Sequence, residues 1–338
     1  MPRPFSFVPA RNPLGLLGRS RDFRLFWSGQ TLSLMGTWMQ SMAQGWLALE
    51  LTDDPLMVGA VATCTSLPIL LFSLHAGVLA DRHDRLWLLK AMQAGMLAQA
   101  VVLWWFVASG HITVWWLLAL AAVDGTLVAV EIPARNALVA DVVGLDELPD
   151  AIALNSAGFN LARIIGPVIA GLAIGHLGIA WCFAINAASY GFVLIGVALM
   201  RHDPPARAPV TASPLEGIAE LWRYMRETRA VWALMQVVAV VGIFGLPYLT
   251  LMPVMARDQL GLGADGYGAL LACVGVGGLT GALWLASSEH ARRPGRLGPV
   301  TAGFALLLIA FAISRSLRLS QLLLFGSGVT MIVNGALA

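Results

Sequence analysis

Two charged side chains stand inside apolar stretches, Asp124 in LLALAAVDGTLVAVE and Arg163 in GFNLARIIGPVIAGLAIG. A charge at such depth costs on the order of 2.5–3.5 kcal/mol, so it is kept for pairing or for a ligand or proton. Asp124 is a candidate proton carrier or half of a fixed pair with Arg163. Arg163 is a candidate for binding an anionic substrate or the other half of that pair. A third group lies in LFWSGQTLSLMGTWMQSMAQGWLALE, where Gln30, Ser33, Thr37, Gln40 and Gln44 recur at steps of three and four along one helical face. Polar side chains on a membrane helix avoid lipid, so this stripe either lines an aqueous or substrate cavity or makes hydrogen bonds between helices. Trp38, on the same segment, is a candidate cavity aromatic.

Other chemistries lack their residues. The six histidines show no ligand spacing, so no metal site is expected, and the chain has neither a phosphate-binding loop nor a nucleophile elbow. No cofactor is called for. Cys64, Cys182 and Cys273 lie singly in apolar runs and read as buried free thiols.

The segments that must position these groups dominate the composition. Of 338 residues 58% are hydrophobic and only 12% are charged, too few charges to keep a soluble domain of this length dispersed. At about 1.5 Å rise per residue, some 20 apolar residues cross the hydrocarbon layer. That rule gives ten candidate spans: 25–50, 56–80, 86–108, 112–133, 152–175, 179–200, 230–255, 266–288, 298–314 and 317–338. Residues 1–24 form a basic arm without the apolar core and cleavage site of a signal peptide.

Basic residues set the expected orientation. With the N-terminus in the cytoplasm, the inner side receives five in the arm, three at 82–90, Arg135, five at 201–229 and three at 292–296. The outer side receives only Arg257, Arg315 and Arg318, as the positive-inside rule requires. The polar stretch 201–229 reads as a cytoplasmic linker, its Pro/Ala part flexible and its end helix-like. It separates an N-terminal six-helix bundle, 25–200, from four helices in 230–338. Both halves open with a span, an acidic outer loop, a second span and a basic inner loop, the arrangement of a repeat of six-helix units.

The loop GVLADRHDR at 77–85 is charged beyond what orientation needs. It resembles the signature loop of the major facilitator superfamily, G-x-L-a-D-R-x-G-R-[KR]: Gly77, Leu79, Asp81, Arg82 and Arg85 match, while Asp84 replaces a glycine and Leu86 a basic residue. The resemblance implies that Asp81, Arg82 and Arg85 latch two helical bundles on the cytoplasmic side. Glu131-x-Pro133-x-Arg135 is similar to the acid–Pro–Arg cluster that such proteins carry after helix four, which joins the same network. Gly166, Pro167 and Gly171 match the helix-five signature of exporters, G-x3-G-P-x2-G-G, with Ala162 and Ala170 in place of glycine. Generic small-residue packing is the alternative for that segment.

Over residues 22–200 the stretches RDFRLFWSGQTLSLMGTWM, DRHDR, PARNALVADVV and ARIIGPVIAG resemble the enterobactin-exporter-like subgroup of that superfamily. The fold implied is an all-α integral membrane protein of two bundles, with about ten of an expected twelve transmembrane helices, so the chain reads as C-terminally truncated. The function implied is proton-coupled export of a small molecule (siderophore, drug or metabolite) by alternating access, without ATP hydrolysis, in the inner membrane. Its partners would be substrate, protons and the bilayer, with no nucleic acid; oligomeric state stays open. Alternatives are a non-transporting remnant and a membrane enzyme acting on lipid, for which His75, His83 and Asp84 are the only crowded candidates.

Overall fold

The computed structural model describes residues 13–201, 225–245, 247–287 and 294–337, all helical or in short connections, with no strand among them. A short helix α1 (Pro13–Arg19) leads into α2 (Arg21–Thr52), so helix begins within the basic arm. The cause is local: Ser20 caps α2, its hydroxyl accepting from the Phe23 N–H at 3.2 Å. Asp54 likewise caps α3 (Pro55–Arg82), and Asp84 caps α4 (Arg85–Ala108) by accepting from the N–H groups of Leu86 and Trp87. Asp84, the residue that departs from the signature loop, therefore has a helix-capping task of its own.

α5 (Val114–Leu177) contains two expected spans and the connection between them. The first was expected to stop at Pro133. Instead the helix runs through that proline and breaks at Gly144, whose φ of 74° lies where a side chain is strained. The two limbs run antiparallel: Leu117, Leu120, Ala170 and Ala173 share one core cluster, while Leu138, Val139, Ala151 and Leu154 share another. α6 (Ala180–Ala198) completes this half.

Beyond the linker, which lies mostly outside the described residues, come α7 (Arg229–Val240), α8 (Ala264–Ser287), α9 (Leu297–Ile313) and α10 (Leu317–Leu337). The expected span 230–255 is not one α-helix. α7 gives way to a π-helical turn at Val241–Gly245, then to Pro247–Thr250, Met252–Val254 and a second π-helical turn, Met255–Gln259. Pro247 and Pro253 supply no N–H to continue the ladder.

Seven helices among the described residues are long and apolar enough to cross a membrane. α2 is not one of them, its polar stripe lowering its hydropathy, and α9, at 17 residues, is slightly short. The second limb of α5 meets α8 along a glycine seam. A Cβ on Gly268 would lie 2.7 Å from the Pro167 carbonyl oxygen, one on Gly171 3.2 Å from the Ala264 oxygen, and one on Gly275 2.6 Å from Ile164 Cγ1. On the other side of that limb, a Cβ on Gly166 would lie 2.7 Å from the Met35 oxygen and from Trp38 Cβ of α2.

The largest core cluster joins both halves: Met42, Trp46 and Leu49 of α2 pack with Met252, Tyr267, Leu270 and Phe311. Trp46 and Tyr267 stack at 5.9 Å between ring centres. This seal lies at the end of the molecule that holds Asp53. The clusters nearer Asp81 draw only on residues before the linker.

The seam yields a stability prediction. Gly268→Leu overpacks backbone against backbone and lowers stability by about 1–3 kcal/mol, read as a drop in the thermal unfolding midpoint of detergent-purified protein. Gly191→Leu, where a Cβ meets nothing within 4 Å, leaves the midpoint unchanged.

Candidate functional site

At the Asp81 end the loop charges organise around Arg85. Its guanidinium lies 3.3 Å from Asp81 Oδ1 at the end of α3, across the break between the two helices, and 2.7 Å from Asp141 Oδ1 on α5, and it donates to the Ala137 carbonyl at 3.3 Å. Asp141 is a partner that motif matching passed over, although it stands in PARNALVADVV. Asp81 is half exposed, a Cβ on Gly77 would meet nothing within 4 Å, and Arg82 sits exposed beside them.

Glu131 and Arg135 belong to a separate, buried group. Glu131 is 4% exposed. Its Oε1 lies 3.3 Å from Arg135 Nε and accepts from Gln30 Nε2 and Gln93 Nε2, each at 3.4 Å. One carboxylate is thus held by groups from α2, α4 and its own helix. The structure does not bring it to Asp81 or Arg85.

The stripe on α2 divides its labour. Gln40 makes bonds between helices, accepting from Asn186 at 2.9 Å and donating to Gln99 at 3.4 Å. Thr37 donates to the Ser33 carbonyl and meets the Tyr190 hydroxyl at 3.4 Å. Gln93, Gln99 and Asn186 are further buried polar groups of apolar spans, and isolated amides in such runs were the signal that could have found them.

Two cavities flank the middle of α2. The first, about 330 Å³, lies between the halves toward the Asp53 end and is lined by Thr37, Trp38, Gln40, Gln44, Asp124 and Tyr267 among others. Asp124 is buried with Oδ1 unpartnered, and Gln44 Nε2 on the same cavity is also unpartnered. The second, about 340 Å³, lies toward the Asp81 end between α2 and the two limbs of α5, and includes Gln30, Arg135 and Phe159. Between them stands a pair of rings at 69°, Trp38 of the first and Phe159 of the second, 5.9 Å apart. Arg163 adjoins this pair. Its Cζ lies 5.9 Å from the Trp38 ring centre, and its Nη2 approaches Met331 Sδ of α10 at 3.4 Å. Asp124 and Arg163 are therefore not paired to each other: the acid opens on a cavity while the base stacks on an aromatic ring.

The Asp53 end carries an ion cluster between the halves. Arg257 reaches Asp53 Oδ1 and Asp258 Oδ1, each at 2.6 Å, and donates to the Leu49 carbonyl at 3.3 Å. Asp53 caps the end of α2 with φ 56°, a backbone state that Asp tolerates better than most residues. Hydrogen bonds to Asp258 and then Asp53 raise the pKa of Arg257 above its ordinary value. In sequence Arg257 counted toward orientation and Asp53 and Asp258 toward the repeat of the halves; the fold turns them into a bridge across the halves.

A family described as transmembrane secretion effector matches residues 14–337. The staphyloferrin A transporter of Staphylococcus aureus is 26% identical over 266 residues, covering 78% of this chain and 66% of that protein. The enterobactin exporter EntS of Shigella flexneri is 26% identical over 286 residues, 84% of this chain and 67% of the exporter. The multidrug efflux pump Tap of Mycobacterium tuberculosis is 28% identical over 296 residues, 83% of this chain and 69% of the pump. The chain thus spans about two thirds of the length of the curated relatives it matches. Among solved structures, a bacterial homologue of the lysosomal transporter Spinster superposes with a TM-score of 0.71 at 15% identity, over 94% of this chain and 73% of that one. A bacterial homologue of ferroportin gives 0.68 at 14%, over 93% and 82%.

If the Arg257 cluster helps close its end, Arg257→Gln and Asp53→Asn raise the labelling rate of a cysteine placed at Ser41, in the first cavity, by an impermeant maleimide added from that side. The pair is solvent-exposed, so the gain is a few-fold. An unchanged rate in both variants removes the role.

Proposed function

We propose an export function from this premise: the chain belongs to the transmembrane secretion effector family of the major facilitator superfamily, whose members are multi-pass membrane transporters. The protein is a secondary active exporter of a small molecule, working by alternating access between a bundle spanning 25–200 and one within 230–338. The Asp81 end faces the cytoplasm of a cell whose inner membrane holds the protein, a placement supported by the basic residues of the inner loops. The export direction is supported by relatives named as a siderophore exporter and a multidrug efflux pump.

The observation that carries the mechanism is the first cavity: a buried carboxylate with an unpartnered oxygen, at the junction of two halves that, among the described residues, share a core cluster at the Asp53 end. In alternating access the site stays near the midplane while the seal moves from one end to the other. A proton gradient drives that exchange only if the proton binds the two states with different affinity. Asp124 meets the requirement for a coupling site, because its surroundings change when the halves part and no fixed base holds it ionised. Asp81, Arg85 and Asp141 form the device that steadies the cytoplasmic end. Arg85 bridges two carboxylates of its own bundle that differ in exposure, Asp81 at the end of α3 and Asp141 on α5. The relatives' printed substrates, staphyloferrin A and enterobactin among them, mark the class to test first.

The test is flux in proteoliposomes under an imposed pH gradient, against siderophores, drugs and lipophilic metabolites. The expected result is gradient-driven movement of at least one compound, lost in Asp124→Asn while exchange without a gradient persists. No flux of any compound overturns the export reading and favours a non-transporting chain. Asp81→Asn and Asp141→Asn insert normally and slow flux at least tenfold; wild-type rates in both remove the proposed gating role.

A further inference from the structure

The first cavity holds one charge and no counter-charge. Of the side chains that line it, Asp124 alone is charged and none is basic. The nearest charges along α5 are spoken for and do not line the space: Glu131 is engaged by Arg135, Gln30 and Gln93, and Arg163 lies on the Trp38 ring beside Met331. Asp124 is 6% exposed. Its Oδ1 is enclosed without a partner, while Oδ2, which accepts no hydrogen bond among the described residues, is not enclosed. The terminal torsion of Asp is broad, so either oxygen can turn to a ligand. A buried carboxylate is costly until something compensates it. A proton does so without needing space, whereas about 330 Å³ between the halves is the size of a small-molecule site.

The neutral walls suit the same sign of charge. Thr37 and Thr65 spend their hydroxyl hydrogens on the Ser33 and Val61 carbonyls, at 3.0 and 3.2 Å, and so present oxygen lone pairs to a ligand. Trp38 from one half and Tyr267 from the other also line the space. Both rings are already packed, Trp38 against Phe159 and Tyr267 against Trp46, which makes them fixed walls. With Met42 they give a polarizable apolar surface of the kind that receives the carbon groups around an ammonium nitrogen.

The cavity also has a side opening. Ala62, Ser66 and Thr250 line both it and a third cavity of about 640 Å³, so the two spaces meet at those residues. The third is a cleft between α3 and the interrupted segment that follows α7, with Leu67 and Leu70 on one wall and Gly242, Pro247 and Leu251 on the other. Leu67, Leu70 and Leu251 are exposed, so the cleft opens on an apolar flank of the molecule. The π-helical turn at Val241–Gly245 and Pro247 interrupt the helix at this wall. A polar space with one unmatched acid therefore continues into an apolar one.

We infer that the first cavity and the cleft together bind an amphipathic organic monocation, its cationic head against Asp124 and its apolar body passing between Ser66 and Thr250 into the cleft. The inference rests on the export reading for its meaning, since it names the class of molecule carried, but the binding it asserts needs no gradient. An anion of the same shape would bring a second negative charge to an unmatched carboxylate, and a neutral molecule would leave that carboxylate unmatched.

The test is equilibrium dialysis of the purified full chain in detergent at low salt, with radiolabelled hexyltrimethylammonium as probe and protein-free micelles as the blank. Tetramethylammonium (head alone), hexane-1-sulfonate (opposite charge) and hexan-1-ol (no charge) serve as competitors. The probe is expected to bind, to be displaced at least tenfold better by its unlabelled form than by tetramethylammonium, and not by the sulfonate or the alcohol. Asp124→Asn weakens binding about tenfold and Asp124→Glu far less; occupancy of the Asn variant recovers at higher concentration, so exchange without a gradient remains measurable. Ser66→Trp, at the junction of the two spaces, weakens binding of the hexyl compound at least fivefold and leaves tetramethylammonium unaffected. In a Ser66→Cys variant, which keeps Asp124, the probe slows maleimide labelling of that cysteine, read by peptide mass spectrometry, and hexane-1-sulfonate does not. Preferential displacement by the sulfonate, labelling indifferent to the probe, or equal loss of both cations in Ser66→Trp overturns the inference, as does full affinity in a monodisperse Asp124→Asn protein. Cation binding without flux of any compound leaves this site standing while the export reading fails; gradient-driven flux of anions with no cation binding does the reverse.

Discussion

Backbone contact between the second limb of α5 and α8 is the constraint on which the other features depend. Where Gly268 faces Gly171 and the Pro167 carbonyl, backbone of one half meets backbone of the other. Such a seam gives close van der Waals packing without the interlocking of larger side chains, and lipid supplies no hydrophobic drive between helices to replace it. Two halves that meet this way keep their registration and retain freedom to tilt. The aromatic stack of Trp46 on Tyr267 and the Arg257 cluster add to the contact at one end only. That inequality between the ends is what leaves space about the middle of α2.

The placement of charge follows from the same geometry. Low dielectric makes each buried charge expensive unless matched, and the chain uses three solutions. Glu131 is matched by the Arg135 cation on its own helix and by two amide donors, Gln30 of α2 and Gln93 of α4. Arg85 is matched by two acids of unequal exposure at the rim. Asp124 and Arg163 have no ionic partner among the described residues, and each lies beside the interface of the halves rather than deep within one bundle. Groups that stay unmatched at a moving interface are where ligand or proton binding has the most leverage on conformation.

The two cavities divide along this line. Trp38 and Phe159 stand between a space holding an acid and a space holding a base. Trp38, one ring of that aromatic pair, also faces the Arg163 guanidinium.

The amino-acid sequence by itself determined the solvent and the elements. Long apolar runs have no stable alternative to membrane-crossing helix, and Ser20, Asp54 and Asp84 mark helix starts because their side chains satisfy the first free N–H groups. It also located the buried charges, since Asp124 and Arg163 stand out against any apolar background. It did not reveal that the helix runs on through Pro133 or that π-helical turns interrupt 230–255, because a proline kinks or ends a helix according to what its neighbours offer the freed carbonyl. Only the tertiary structure decided who meets whom: that Arg85 reaches Asp141, that Glu131 sits with Gln30 and Gln93, and that Asp124 and Arg163 face different neighbours. Periodicity fixes the face of a helix on which a side chain lies, whereas pairing depends on the rotation and depth of the facing helix, and those are set by distant glycines where backbones touch.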